Sequence, residues 1–121
     1  MIERLDISGV HFEVDERLHK YVTKKIGKLD AYMSRHVRKS VHGEVKLIGV
    51  KAKDKKESLC EVVLRLPHDT ITVKEATTNM YASVDVVETK LRNQLKRYKE
   101  LNTANHRGVR KLLAKLRSRE A

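Results

Sequence analysis

The sequence predicts an α+β fold, a four-stranded mixed sheet of order β-α-β-β-β-α with two helices packed on one face. Three observations lead there. Residues 15–33 and 79–101 carry apolar side chains every three or four positions, the pattern of helices with one buried stripe. Shorter stretches between and before them alternate polar with apolar, the period of strands with one buried face. With one stripe per helix and one clearly apolar sheet face, both helices must share that face, and a helix joining the first two strands makes that pair parallel.

Taking the elements in order, ERLDISG places Leu5 and Ile7 on one side and closes at Gly9, a strand over residues 3–8. Asp15 suits an N-cap and Glu16 the helix dipole, and Leu18, Tyr21, Val22, Ile26, Leu29 and Met33 follow with a 3.6 period. The opposite side of that helix carries Arg17, Lys20, Lys24 and Lys28, while Lys25 lies at the edge of the stripe. Residues 40–50 form a strand with Val41, Val45 and Leu47 on one face and Ile48 on the other, and Gly43 and Gly49 predict bends or bulges. Residues 51–58 read as a charged, mobile hairpin tip. Residues 59–66 place Cys60, Val62, Leu64 and Leu66 on one side, and after a turn at Pro67, His68 and Asp69 the stretch 70–76 returns antiparallel.

In the last helix Asn79 caps the start and Val84, Val87, Leu91, Leu95 and Tyr98 make the core stripe. Lys90 and Arg97 fall on one flank, and Arg92, Lys96 and Lys99 on the other. Residues 102–108 break the pattern, and the helical spacing that resumes from Val109 to Leu116 is too short to hold a helix alone. The expected organisation is a domain over 1–101 and a flexible basic tail over 102–121.

The 121 residues hold 27 Lys and Arg against 16 Asp and Glu, a net charge of +11. Residues 90–121 hold 11 basic and 2 acidic side chains, so the surplus gathers on the second half of the last helix and the tail. A polyanion is the natural partner, rather than a small-molecule substrate. Cys60 is the only cysteine, which excludes an internal disulfide and fits a reducing compartment, so the cytoplasm is expected. No apolar leader is visible at the amino end and no apolar run approaches a membrane span.

Chemistry-bearing motifs are absent from the pattern. The six histidines lack metal-ligand spacing, and there is neither a phosphate-binding loop nor a nucleophile elbow, so no enzyme activity, metal or cofactor is expected. One Phe, four Tyr and no Trp give no platform for stacking bases, which favours structured RNA recognised by shape over extended single strands.

The stretches LDISGVHFEVDERL (5–18), KKIGKLDAYM (24–33), NMYASVD (79–85) and KLRNQLKRYK (90–99) together resemble the ribosome hibernation-promoting factor family, which includes ribosome-associated inhibitor A. The resemblance spans about residues 3–101 and is to the short form. It implies a stress or stationary-phase factor that sits on the small ribosomal subunit in the channel shared by mRNA and tRNA and blocks translation by occupancy. Residues Lys25 and Lys28, with Lys90, Arg97 and Lys99, match the positions whose cations meet small-subunit rRNA, and Arg92 and Lys96 complete the candidate rRNA-binding set. This sequence departs from the family pattern at Asn93, where Arg is usual, at Asn79 in place of Asp, at Thr77 in place of Gly, in a longer hairpin at 51–58, and in a short basic tail.

Two alternatives remain open on the residues alone. A general binder of double-stranded RNA shares the two-helices-on-a-sheet build, although such a module keeps a basic cluster at the start of its last helix, where NMYASVD is neutral to acidic. A protein-interaction module whose basic tail docks on an acidic partner is the other. The expected state off the ribosome is a monomer, with no membrane association.

Overall fold

The computed structural model describes residues 1–103. Strand β1 (Arg4–Val10) leads through a tight loop into helix α1 (Glu16–Gly27), a 3-10 turn (Lys28–Tyr32) and a short helix α2 (Arg35–Ser40). Strands β2 (His42–Ala52), β3 (Lys55–Leu66) and β4 (Asp69–Thr77) follow, and helix α3 (Met80–Thr103) closes the fold. The sheet order is β1-β2-β3-β4, with β1 and β2 parallel and the other pairs antiparallel, as expected from the sequence. The expected tail begins inside α3, which runs to Thr103, and residues 104–121 lie outside the described residues.

Register sorts the sheet into two unlike faces. Rows Leu5–Gly43–Leu64–Ile71 and Ile7–Val45–Val62–Val73 face the helices, followed by Leu47 and Cys60. Val22 and Ile26 of α1, and Val84, Val87, Leu91 and Leu95 of α3, pack on these rows with no exposed surface. Each such side chain contributes roughly 1.5–3 kcal/mol on leaving water, which is what fixes both helices to this face. Cys60 is fully buried in that layer, and burial pushes its thiol up to about 12. The opposite face is a lattice of compensated charge: Lys46–Glu61–Lys74 stand in one row, Arg65 lies 2.7 Å from Glu44, and His42 lies 2.8 Å from Asp6. The Arg65 guanidinium, by its hydrogen bond and then its charge, holds the Glu44 carboxyl below its usual range.

The helix caps are those the sequence signals. Asp15 Oδ1 accepts from Leu18 N at 2.7 Å, and Asn79 Oδ1 accepts from Tyr81 N at 2.8 Å. Thr77, in the place of the family's glycine, is part of the junction itself: its hydroxyl accepts from Asn79 N at 3.1 Å and lies 2.8 Å from that of Ser83, which donates to Ser58 O at 2.6 Å. Ser83 is thereby fully buried and satisfied.

Three expectations are corrected. The first helix does not reach Met33; it stops at Gly27, whose carbonyl accepts from Ile2 N at 3.0 Å as the start of the chain crosses the helix end. Leu29 and Met33 are buried on the same core from the 3-10 turn and its C-cap, so the apolar period runs on across a break in the backbone. Helix α2 was not expected; its signals are Ser34, whose hydroxyl accepts from Val37 N at 3.3 Å, and the single buried Val37, too few for a period. Third, the β2–β3 ladder runs unbroken from His42↔Arg65 to Ala52↔Lys55, so the tip is a two-residue turn, Lys53 and Asp54, and neither glycine is a bulge.

Both glycines instead admit a close neighbour. A Cβ on Gly43 would meet Leu5 Cδ1 at 2.8 Å, and one on Gly49 would stand 2.3 Å from the His11 carbonyl oxygen, where the loop after β1 folds back over β2. Gly49→Ala is therefore expected to lower stability by roughly 1–3 kcal/mol through overpacking, against the gain of about 0.4–1 kcal/mol that Gly→Ala gives at an open site. Thermal melting of the variant checks this.

Candidate nucleic-acid interface

Helices α1 and α3 lie side by side and run the same way: Tyr21 meets Tyr81 and Asp85, and further along Tyr32 meets Arg92 and Lys96. Their first contact is a clasp. The Tyr21 hydroxyl donates to Asp85 Oδ1, Lys25 Nζ lies 3.7 Å from the same oxygen, and the Tyr21 and Tyr81 rings meet edge to face with centroids 4.9 Å apart. Lys25 also stands 5.8 Å from the Tyr21 ring centroid. The hydrogen bond to Asp85, then burial, pushes the Tyr21 phenol up to about 12.

Past the clasp lies an open cleft of about 550 Å³, walled by Lys24 and Lys25 on α1, Lys28 and Tyr32 on the 3-10 turn and Glu88 on α3. Lys96 Nζ sits 5.5 Å from the Tyr32 ring centroid, a cation–π distance. Arg92 donates to the Tyr32 side chain, and that bond, with the Glu88 carboxylate, raises its pKa above the usual value. Three cations, Lys24, Lys25 and Lys28, thus line the cleft with Glu88, and two more, Arg92 and Lys96, stand against its Tyr32 wall. Fixed cations around a concavity, facing solvent, are a setting for phosphate oxygens.

The structure divides the sequence-derived candidates. Lys25, Lys28, Arg92 and Lys96 come together at the cleft, and Lys99 continues the Arg92–Lys96 line at helical spacing. Lys90 does not join them: it pairs with Glu75 of β4, and Arg97, two turns on, follows that far flank. Two residues were missed. Lys24 belongs to the cleft wall, and its place on the polar side beside Lys28 was a signal. Tyr32 organises two of the cations; nothing in its spacing marks it, because it lies on the 3-10 turn where the helical period no longer holds.

A cationic cleft beside two helices laid on one face of a small mixed sheet defines an α+β module with an electropositive helix side. The chain belongs to the family described as Sigma 54 modulation protein / S30EA ribosomal protein, whose model matches residues 5–102. It is 32% identical over 96 residues to the ribosome hibernation promotion factor of Lactococcus lactis subsp. cremoris (strain MG1363), covering 79% of this chain and 49% of that protein. It is 28% identical over 96 residues to the factor of the same name from Staphylococcus aureus (strain COL), covering 79% and 48%. The chain spans about half the length of the curated relatives it matches. Among solved structures, the Thermus thermophilus Protein Y N-terminal domain superposes with a TM-score of 0.62 at 28% identity, over 80% of this chain and 97% of that one. A ribosomal subunit interface protein from Coxiella burnetii shares the fold, with a TM-score of 0.60 at 23% identity over 79% and 97%.

The clasp gives a pH signature. A phenol whose pKa is raised in the folded state adds stability that is complete below its ordinary value of 10.0 and is lost as pH rises through about 12. Asp85→Asn is expected to return the Tyr21 titration toward 10.0 and to reduce that alkaline loss, leaving the part due to burial. Tyrosinate absorbance, with Tyr21→Phe to assign the transition, checks it.

Proposed function

We propose that this protein is a ribosome hibernation factor: it binds the small ribosomal subunit in the channel shared by mRNA and tRNA, through rRNA contacts of its helix faces, and blocks translation by occupancy. The observation that carries the reading is the cleft, where α1, the 3-10 turn after it and α3 bring Lys24, Lys25, Lys28, Arg92 and Lys96 to one side of the molecule. Family membership and the names of the relatives support a ribosomal partner, which would place the action in the cytoplasm. The compensated charge on the far face of the sheet leaves the helix side as the electropositive one.

The chemistry asked of the cleft is electrostatic. Each phosphate neutralised releases counterions, so affinity falls with rising salt in proportion to the number of contacts. Folded rRNA offers phosphates at fixed spacing, which a rigid pair of helices matches better than it matches a flexible strand. Sedimentation with purified small subunits, with and without duplex RNA as competitor, tests the reading: association that survives the competitor supports it, and loss to any duplex would instead make the protein a general double-stranded-RNA binder.

Geometry and family resemblance weight the cations differently, and a pair of double variants separates them. Lys28→Glu with Lys96→Glu is expected to weaken small-subunit binding at least tenfold and to flatten its salt dependence by about two contacts, with stability moving by no more than roughly 0.5 kcal/mol. Lys90→Glu with Arg97→Glu is expected to weaken binding less and to destabilise more, because it sets a second carboxylate against Glu75 where an ammonium now stands. The reverse order would move the contact surface to the β4 flank.

A basic segment following α3 would thread the mRNA path and add its own phosphate contacts. Removing residues 104–121 is then expected to weaken binding and lower its salt slope, measured by the same sedimentation. Unchanged affinity removes the segment from the interface.

A further inference from the structure

The β2–β3 hairpin outgrows the sheet. Strand β1 ends at Val10 opposite Ile48, and β4 ends at Thr77 opposite Ser58, so beyond Gly49 and Ser58 the two strands continue alone through three more pairs and the Lys53–Asp54 turn. Such an arm has no neighbouring strand to hold it, and two-stranded ribbons are marginal by themselves. Its sequence makes it less stable still. Lys51 and Lys56 stand directly opposite each other, a like-charge pair that opposes the ladder. Lys53 takes a positive φ of 54°, a conformation for which Gly or Asn is the usual occupant. Lys55 follows at once, and among the described residues none of these four lysines lies in an ion pair.

The side the arm presents is fixed by register. Lys51 and Lys56 share the parity of Leu47 and Cys60, so they point to the helix side of the sheet, the same side as the cationic cleft. At their base the loop after β1 crosses Gly49, bringing the half-buried Phe12 beside them, and the space between is a cleft of about 640 Å³ with Lys51, Lys56 and Phe12 in its wall. Glu13 and Glu57 also border it, so the cationic character belongs to the Lys51–Lys56 edge and not to the whole cleft. Helix α1 starts at this end and carries the chain away for roughly 18 Å at 1.5 Å per residue before Lys28 is reached.

We propose that the hairpin arm is a second RNA contact, in which a phosphate settles between Lys51 and Lys56 and so relieves the repulsion that the free protein carries. This rests on the reading of the protein as a binder of folded RNA and adds a second anchor to it. Two anchors on one molecule favour RNA that presents phosphates to both, which gives a shape requirement to an otherwise unspecific attraction.

The test uses the full chain and Lys56→Glu, with Lys51→Gln and Lys56→Gln together as a second variant, measured against purified small subunits and against a short RNA stem-loop across a salt series. Lys56→Glu replaces a repulsive cross-strand pair with an attractive one, so its melting temperature is expected to stay level or rise while RNA affinity falls about tenfold and the salt slope drops by one to two contacts. Binding unchanged in both variants would overturn the arm as a contact while leaving the cleft reading intact. Wild type that ignores small subunits but binds the stem-loop, with the variants weakened, would sink the ribosomal reading and keep the arm; wild type that binds neither RNA overturns both.

Discussion

Two helices compete for a single apolar face. The sheet buries one side and leaves the other as a lattice of compensated charge, so α1 and α3 have nowhere else to lie, and their polar backs are forced into one shared surface. The parallel β1–β2 pair sets their direction: a chain leaving β1 must run back along the sheet before β2 can begin, which sends α1 the same way as α3. Side-by-side helices of like direction bring residues at matching heights together, and hence Tyr21 to Asp85 and Tyr32 to Arg92 and Lys96. The cleft is a consequence of the core.

Within that surface the cations are not equivalent. Lys25 shares Asp85 with Tyr21 and is partly neutralised where the helices touch, while Lys90 answers Glu75 across the β4 flank. Exposed pairs of this kind add little stability, but they cancel field, and the uncompensated potential shifts toward Lys24, Lys28 and the Tyr32-supported pair. An aromatic ring under a lysine and beside an arginine holds those side chains in place without consuming their charge. The proposed rRNA contact thus draws on preorganised cations, where the entropy of ordering long side chains is already partly spent.

Most of the fold was legible because it follows from periodicity. The strand alternation around Val45, Val62 and Val73 and the stripe from Val84 to Leu95 each report burial on one side, and the caps at Asp15 and Asn79 are chemical signals that need no tertiary context. What escaped the sequence was local geometry imposed from a distance. At the end of α1 the Gly27 carbonyl accepts from Ile2 N, far away in the chain, and Leu29 and Met33 keep the helical beat after the helix has gone. Gly43 and Gly49 looked like bulges because the neighbours that require them, Leu5 and His11, come from another strand and its loop. At the cleft, Arg92 and Lys96 were readable from the face of the last helix and Lys25 and Lys28 from the family resemblance, whereas Tyr32 was not, and the division between Lys96 and Lys90 became visible only once Glu75 and Tyr32 had positions.

The chain's lone sulfhydryl sits at Cys60, sealed between the sheet and the helices with a pKa raised to about 12. No thiolate is available to alkylating reagents or peroxide until the layers part. The folded molecule is therefore blind to thiol-directed redox chemistry, and the rate at which that sulfur becomes labelled is a clock for the separation of the sheet from its helices.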